Sequence, residues 1–198
     1  ALRKFVAATT MAGIMSSSTP THPTLGDVRT AFQSKTLSAT EFRGCTTLVV
    51  QAEDLHEIMH FLRQDPACDY NLLADVTAAD YLDYPASQPA RFGVTWVLRS
   101  HAHDRMLLVR VWIDPELDTS GIEEDPGLVV DSVTDIWPGS EWREREVFDM
   151  FGIRFRGHPD LRRILLWRDY PGHPLRKDYP LRGRGERENH NVLDRSST

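Results

Sequence analysis

The chain has 198 residues, 40% hydrophobic and 26% charged, with a net charge of −6. These values fit one soluble globular domain with room for an extension. No run approaches the roughly 20 apolar residues a helix needs to cross a bilayer, which excludes a helical membrane span.

The charge is unevenly placed. Residues 1–153 hold 12 Lys and Arg against 23 Asp and Glu, a net of −11; residues 154–198 hold 11 against 6, a net of +5. An acidic body with a basic tail reads as a domain with a partner-binding arm, or as a chain whose tail neutralises its own body. Cys45 and Cys68 are the only cysteines. Their spacing fits no CxxC or iron–sulfur pattern, and free thiols in a reducing compartment are expected ahead of a single disulfide.

In chain order, residues 1–24 are basic, rich in Ser and Thr, and free of acid. They read as a flexible tail or as chain upstream of a start at Met11 or Met15. The composition also resembles part of an organellar targeting peptide. Leu25, Val28 and Phe32 form an apolar stripe that predicts a helix over 25–37, with Thr24 as its cap. The β-branched run from Thr46 to Val50 predicts a strand over 42–52. Leu55, Ile58, Met59 and Leu62 fall at helical spacing before Pro66, which predicts a helix over 54–63.

A strand is expected over 70–78, then a polar loop over 80–89. Alternation predicts a hairpin of 92–99 with 106–113, turning through Ser100–Asp104. Residues 115–127 read as an acidic loop with Glu123, Glu124 and Asp125, and 129–136 lead into the helix that follows. Pro138-Gly139 then marks a turn, Ser140 a helix cap, and Gly152 a helix stop. On that helix Glu141, Arg145 and Asp149 share one face, so Arg145 is expected between two carboxylates. Glu144 shares another face with Phe148 and Phe151, where an unpaired carboxylate would be costly. The order of elements argues for an α+β domain with helices on one face of a mainly antiparallel sheet. The expected organisation is a tail (1–24), a core domain (25–153) and a basic, extended arm (154–198) that leaves the body.

Two blocks near the carboxyl end carry a family resemblance. The first is Glu144, Arg145, Glu146, Asp149, Met150 and Phe151, followed by His158 and the run Arg162, Arg163, Ile164, Leu165. The second is Gly172-His173-Pro174-Leu175-Arg176-Lys177-Asp178-Tyr179-Pro180-Leu181. In this order and at this spacing they resemble the signatures of the complex I 30 kDa subunit family of NADH:quinone oxidoreductase. The residues between Leu166 and Tyr170 depart from the commonest versions.

The resemblance implies a non-catalytic subunit of the peripheral arm beside the quinone-reducing module. It implies contact chiefly with the 49 kDa (D) subunit homologue, and with subunits B and I. It implies no cofactor in this chain, with FMN and iron–sulfur clusters held by partners. The implied place is the cytoplasmic side of a bacterial inner membrane, or the matrix side of the mitochondrial one. Equivalent subunits of membrane-bound hydrogenase or F420H2 dehydrogenase are the nearest alternatives. Arg176 is expected to pair with an acid on a neighbouring subunit, with Leu175, Tyr179 and Leu181 around it.

Other constellations carry less. His56 and His60 are one turn apart but lack an evident third ligand for a metal. His101 and His103 fall in the hairpin turn. Glu144 and Glu146 point different ways on a helix, which does not suit paired acid–base work. The arm's arginines, with Trp167, Tyr170 and Tyr179, could in principle grip nucleic acid. The acidic net charge opposes that reading.

Overall fold

The computed structural model describes residues 21–117 and 124–185. The expectations for the amino-terminal tail and for Glu123 lie outside the described residues. The elements in order are α1 (Thr24–Ala31), β1 (Ser38–Phe42), β2 (Cys45–Val50), α2 (Leu55–Gln64), β3 (Leu72–Asp80), β4 (Phe92–Ser100), β5 (Arg105–Ile113), β6 (Val129–Asp131), α3 (Ser140–Phe151) and β7 (Arg154–Arg156). Strands β1 to β5 form one sheet in the order β1-β2-β5-β4-β3, and β6 and β7 form a parallel pair. This is the expected α+β domain. Its one parallel contact in the large sheet is β2 on β5, with Leu48 opposite Val109.

The alternation in β4 and β5 has a direct consequence. Trp96 pairs with Val109 and Val94 with Val111, and all four are buried. Helix α2 lays Leu55, Ile58, Met59 and Leu62 into the same core, all four fully buried. Full burial of side chains of this size stabilises by about 1.5–3 kcal/mol each. The opposite face of the sheet has no helix on it among the described residues. Across its centre run Thr47, Leu108, Val97 and Asp75 in one row, and Val49, Arg110, Thr95 and Thr77 in the next.

Three expectations need correction. The segment 42–52 is not one strand: Arg43 and Gly44 both take positive φ, 51° and 78°, and turn the chain back so that Phe42 pairs with Cys45. That geometry suits a two-residue hairpin. Strand β1 carries no clear alternating signal, because four of its five side chains are exposed and only the small Ala39 packs against the core. Helix α1 ends at Ala31, short of Leu37.

The third correction concerns the arm. There is no break at residue 154, because Arg154–Arg156 is β7, paired with β6. Residues 157–185 contain neither helix nor strand, as expected. They do not leave the body. They run back over the carboxyl end of α3 as a strap.

Candidate functional site: a strap clamped on the signature helix

The first signature block lies on α3 and the chain just after it. Glu144 is fully buried. It accepts hydrogen bonds from Ser132 Oγ at 2.6 Å and the Val133 N–H at 2.9 Å, which ties α3 to the loop after β6. Burial pushes its carboxyl above the usual range, against the pull of those donors. Arg145 does not sit between Glu141 and Asp149. Its guanidinium donates to the carbonyls of Arg162 and Arg163 at 3.1 and 3.2 Å and lies over Trp142. The expected helix face is correct; the carboxylates on it have other partners. Glu146, half-buried, pairs with Arg143 at 3.5 Å.

Asp149 is the first clamp. Its side chain has no exposure, and Arg163 Nη1 reaches Oδ1 at 2.7 Å. Oδ2 accepts three consecutive backbone N–H groups, from Ile164, Leu165 and Leu166, at 2.8–3.0 Å. Burial alone would raise its pKa; the four donors outweigh it and hold the carboxyl below the usual range. Arg163 also donates to the carbonyls of Tyr170 and Gly172, so one guanidinium gathers the start and middle of the strap.

The second block follows immediately. His173 donates Nδ1–H to the Asp149 carbonyl at 2.9 Å, and Leu175 N–H donates to Met150 O. Burial, with the arginines beside it, pushes the His173 pKa down to about 4. Arg176 is buried. It donates Nε–H to Phe151 O at 2.5 Å and lies over the Phe92 ring. The acid expected opposite Arg176 is therefore replaced by a carbonyl of its own chain. These contacts explain Gly152. Its φ is +74°, and a Cβ there would come within 2.6 Å of both His173 and Arg176.

A second clamp lies at the edge of the sheet. Asp80, at the end of β3, receives Arg91 at 2.8 Å and the Lys177 N–H at 2.8 Å. Arg91 bridges on to Asp178 at 2.9 Å. Asp80 and Arg91 were not legible as site residues, because they lie about ninety residues upstream and carry no motif. Pro174 and Tyr179 line a groove of about 640 Å³ with Trp167, Tyr170 and Leu181, and the Tyr170 and Tyr179 hydroxyls are 2.6 Å apart. His158 donates Nε2–H to Glu141 O, and Arg162 pairs with Asp160 on the surface.

The inward groups of the strap thus bind carbonyls, N–H groups and paired ions. Facing outward are Leu165, Trp167, Leu175 and Leu181, all exposed. His56 pairs with Asp135 rather than with His60. Among the described residues no three His, Cys, Asp or Glu side chains converge as metal ligands, and no helix is long and apolar enough to cross a membrane.

This architecture has known relatives. A family profile described as the respiratory-chain NADH dehydrogenase, 30 Kd subunit, matches residues 48–185. The C subunit of NADH-quinone oxidoreductase from Geobacter metallireducens is 44% identical over 158 residues, covering 80% of this chain and 88% of that protein. Its counterpart from Roseiflexus sp. is 40% identical over 154 residues, covering 78% and 80%. Among solved structures, a trypsin-resistant fragment (1-134) of Nqo5 is 31% identical with a TM-score of 0.55, covering 70% of this chain and 96% of that one. A chain of an archaeal membrane-bound sulfane sulfur reductase has a TM-score of 0.62 over 87% of this chain; at 20% identity it shows the fold alone.

Proposed function

The chain belongs to the 30 kDa subunit family of respiratory-chain NADH dehydrogenase, and from that premise we propose that it is a non-catalytic holding subunit within NADH-quinone oxidoreductase. Membership of that oxidoreductase as a peripheral subunit follows from the relatives. The finer reading has four parts. The chain itself holds no cofactor, and FMN and iron–sulfur clusters reside in its partners. It docks chiefly on the 49 kDa (D) subunit homologue, beside subunits B and I. It supports the quinone-reducing module without reacting. It lies on the cytoplasmic side of a bacterial inner membrane, which the bacterial sources of its relatives favour over the mitochondrial matrix.

One observation carries this reading. The signature residues use their polar groups to fasten a strap to the chain's own body, and the strap presents apolar side chains outward. Buried Asp149 and Arg163 are already paired with each other and with backbone, which supports a positioning role rather than a reactive one. The basic tail also fits this role better than a nucleic-acid grip, since Arg163 and Arg176 point into the body.

The test is to purify the complex from cells expressing the chain without residues 157–198. The expected result is loss of the assembled quinone reductase, with cofactor content of the remaining subunits intact. Full assembly and activity without the strap would overturn the holding role. A stoichiometric flavin, cluster or metal on the purified subunit would overturn the non-catalytic reading.

A further inference from the structure

The strap is held unevenly along its length. A helix leaves its last carbonyls without partners from its own turns. In α3 the carbonyls of Asp149, Met150 and Phe151 are taken by His173 Nδ1–H, Leu175 N–H and Arg176 Nε–H, at 2.9, 3.1 and 2.5 Å. Residues 173–176 therefore cap the helix that carries the first signature block. The charge of Arg176 also suits the negative end of the helix dipole.

Different forces fix the two blocks of the strap. Residues 158–166 hold α3 through Asp149, Arg145 and His158. They also set Leu161 and Leu166 against the hydrophobic core. Arg163 draws the carbonyls of Tyr170 and Gly172 to this block, so its reach ends at Gly172. Residues 173–178 add no apolar side chain to the core among the described residues, and Leu175 is half exposed. Apart from the stacking of Arg176 on Phe92, their hold is polar: the three cap bonds, the Lys177 N–H on Asp80, and Arg91 with Asp178.

Seating residues 173–178 also has costs. Arg176 is buried, and among the described residues no carboxylate lies within ion-pair distance of it. Its guanidinium gives up water for one carbonyl and a ring face. Asp178 Oδ1 is buried with no hydrogen-bond partner among the described residues. Segments with few buried apolar contacts are the ones that open first in a native protein.

We propose that residues 173–178 form a flap that lifts off the end of α3 while residues 158–166 stay seated, and that docking of the strap on a neighbouring subunit holds the flap shut. With both blocks seated, strap and α3 form one unit; the flap is the part that opens first, and it opens only transiently. Opening frees three carbonyls at the end of α3 and uncovers Gly152. The closing step rests on the assembly reading above. Leu175 lies on the outward side of the flap, so a partner that covers it also presses the cap bonds closed.

Hydrogen–deuterium exchange of the full chain, read at single amides, tests the opening. The N–H groups of Leu175 and Lys177 bond across to the body, and those of Ile164, Leu165 and Leu166 bond to Asp149. After correction for intrinsic rates, the first pair is expected to exchange on the order of tenfold faster than the second group, or more. In the assembled complex the difference is expected to close. Equal or inverted rates in the free chain overturn the flap, since the strap then opens as one piece. A difference that persists in the complex overturns closure by docking. A complex that assembles without this chain overturns the assembly reading and the closing step with it, while the rates in the free chain still decide whether the flap exists.

Discussion

Gly152 shows how much a single position can decide. Its backbone closes α3 in a left-handed conformation, and its missing Cβ leaves room for His173 and Arg176. Gly152→Ala is expected to cost the free subunit about 2–4 kcal/mol, part backbone strain and part displacement of packed side chains. Urea unfolding of the purified chain measures it. Arg176→Ala is expected to destabilise the free subunit as well, by about 1–3 kcal/mol, because it leaves the Phe151 carbonyl without its donor. The sequence-based expectation, of an acid on a neighbouring subunit, instead has that substitution weaken assembly far more than it destabilises the isolated domain. Unchanged unfolding of the variant would restore the sequence-based view.

His173 supplies a pH dependence with a definite sign. Its folded pKa, about 4, lies below the ordinary histidine value of 6.5. The unfolded chain therefore binds a proton that the folded chain refuses, and stability falls as pH drops from about 6.5 towards 4. Asp80 and Asp149 have folded values below 3.8, so their contributions are lost only further down, as pH falls through those lowered values. Glu144 acts the other way. Its raised value means that the folded state holds its proton more readily, so acidification offsets part of the loss. The prediction is that melting temperature declines between pH 6.5 and 4.5 and that His173→Asn flattens this decline. Asparagine keeps a donor near the Nδ1 position without titrating. Equal slopes for the two proteins would remove His173 from the account.

Among the elements, the strap and α3 behave as one unit. Asp149 accepts three strap N–H groups that have no helix or strand to satisfy them, so it replaces secondary structure for residues 164–166. Asp149→Asn removes the charge from that site and weakens the Arg163 pair, and an expected loss of about 3 kcal/mol follows from breaking a buried ionic network. Limited trypsin digestion reads the same event locally. Cleavage after Arg168, which is exposed, is fast in the parent and the variant alike. Cleavage after Arg176, which is buried, becomes fast only in the variant. Rapid cleavage at Arg176 in the parent chain would show that the strap is not seated on the free subunit.

At the scale of the whole molecule, stability and assembly separate. Leu165 and Leu175 are 62% and 51% exposed, so Leu165→Asp and Leu175→Asp are expected to shift the free subunit's melting temperature by only a degree or two. The same substitutions place a charge on the outward face of the strap and are expected to reduce recovery of the assembled complex at least several-fold. Native electrophoresis of membranes, beside thermal unfolding of the free chain, separates the two effects. A large drop in melting temperature would place these leucines in the body of the fold.

Much of the architecture was present in the chain itself. Helix α2 and the hairpin of β4 and β5 were legible because burial on one side imposes a period, 3.6 in the helix and 2 in the strands, that the side chains must follow. The two signature blocks likewise pointed to the family, and with it to a subunit of NADH-quinone oxidoreductase, through their order and spacing. Tertiary structure decided where those residues point. Arg145 was placed on its correct helix face, yet its partners are carbonyls of Arg162 and Arg163, positioned by chain that helical spacing does not describe. Arg176 was assigned to a partner and is buried at home, because the Phe151 carbonyl becomes available only where α3 ends. The clamp from Asp80 through Arg91 to Asp178 joins residues almost a hundred positions apart. Periodicity arises from each element meeting a core, so it is written locally. Partnership arises from which elements meet each other, and that is settled only when the sheet and helix have packed.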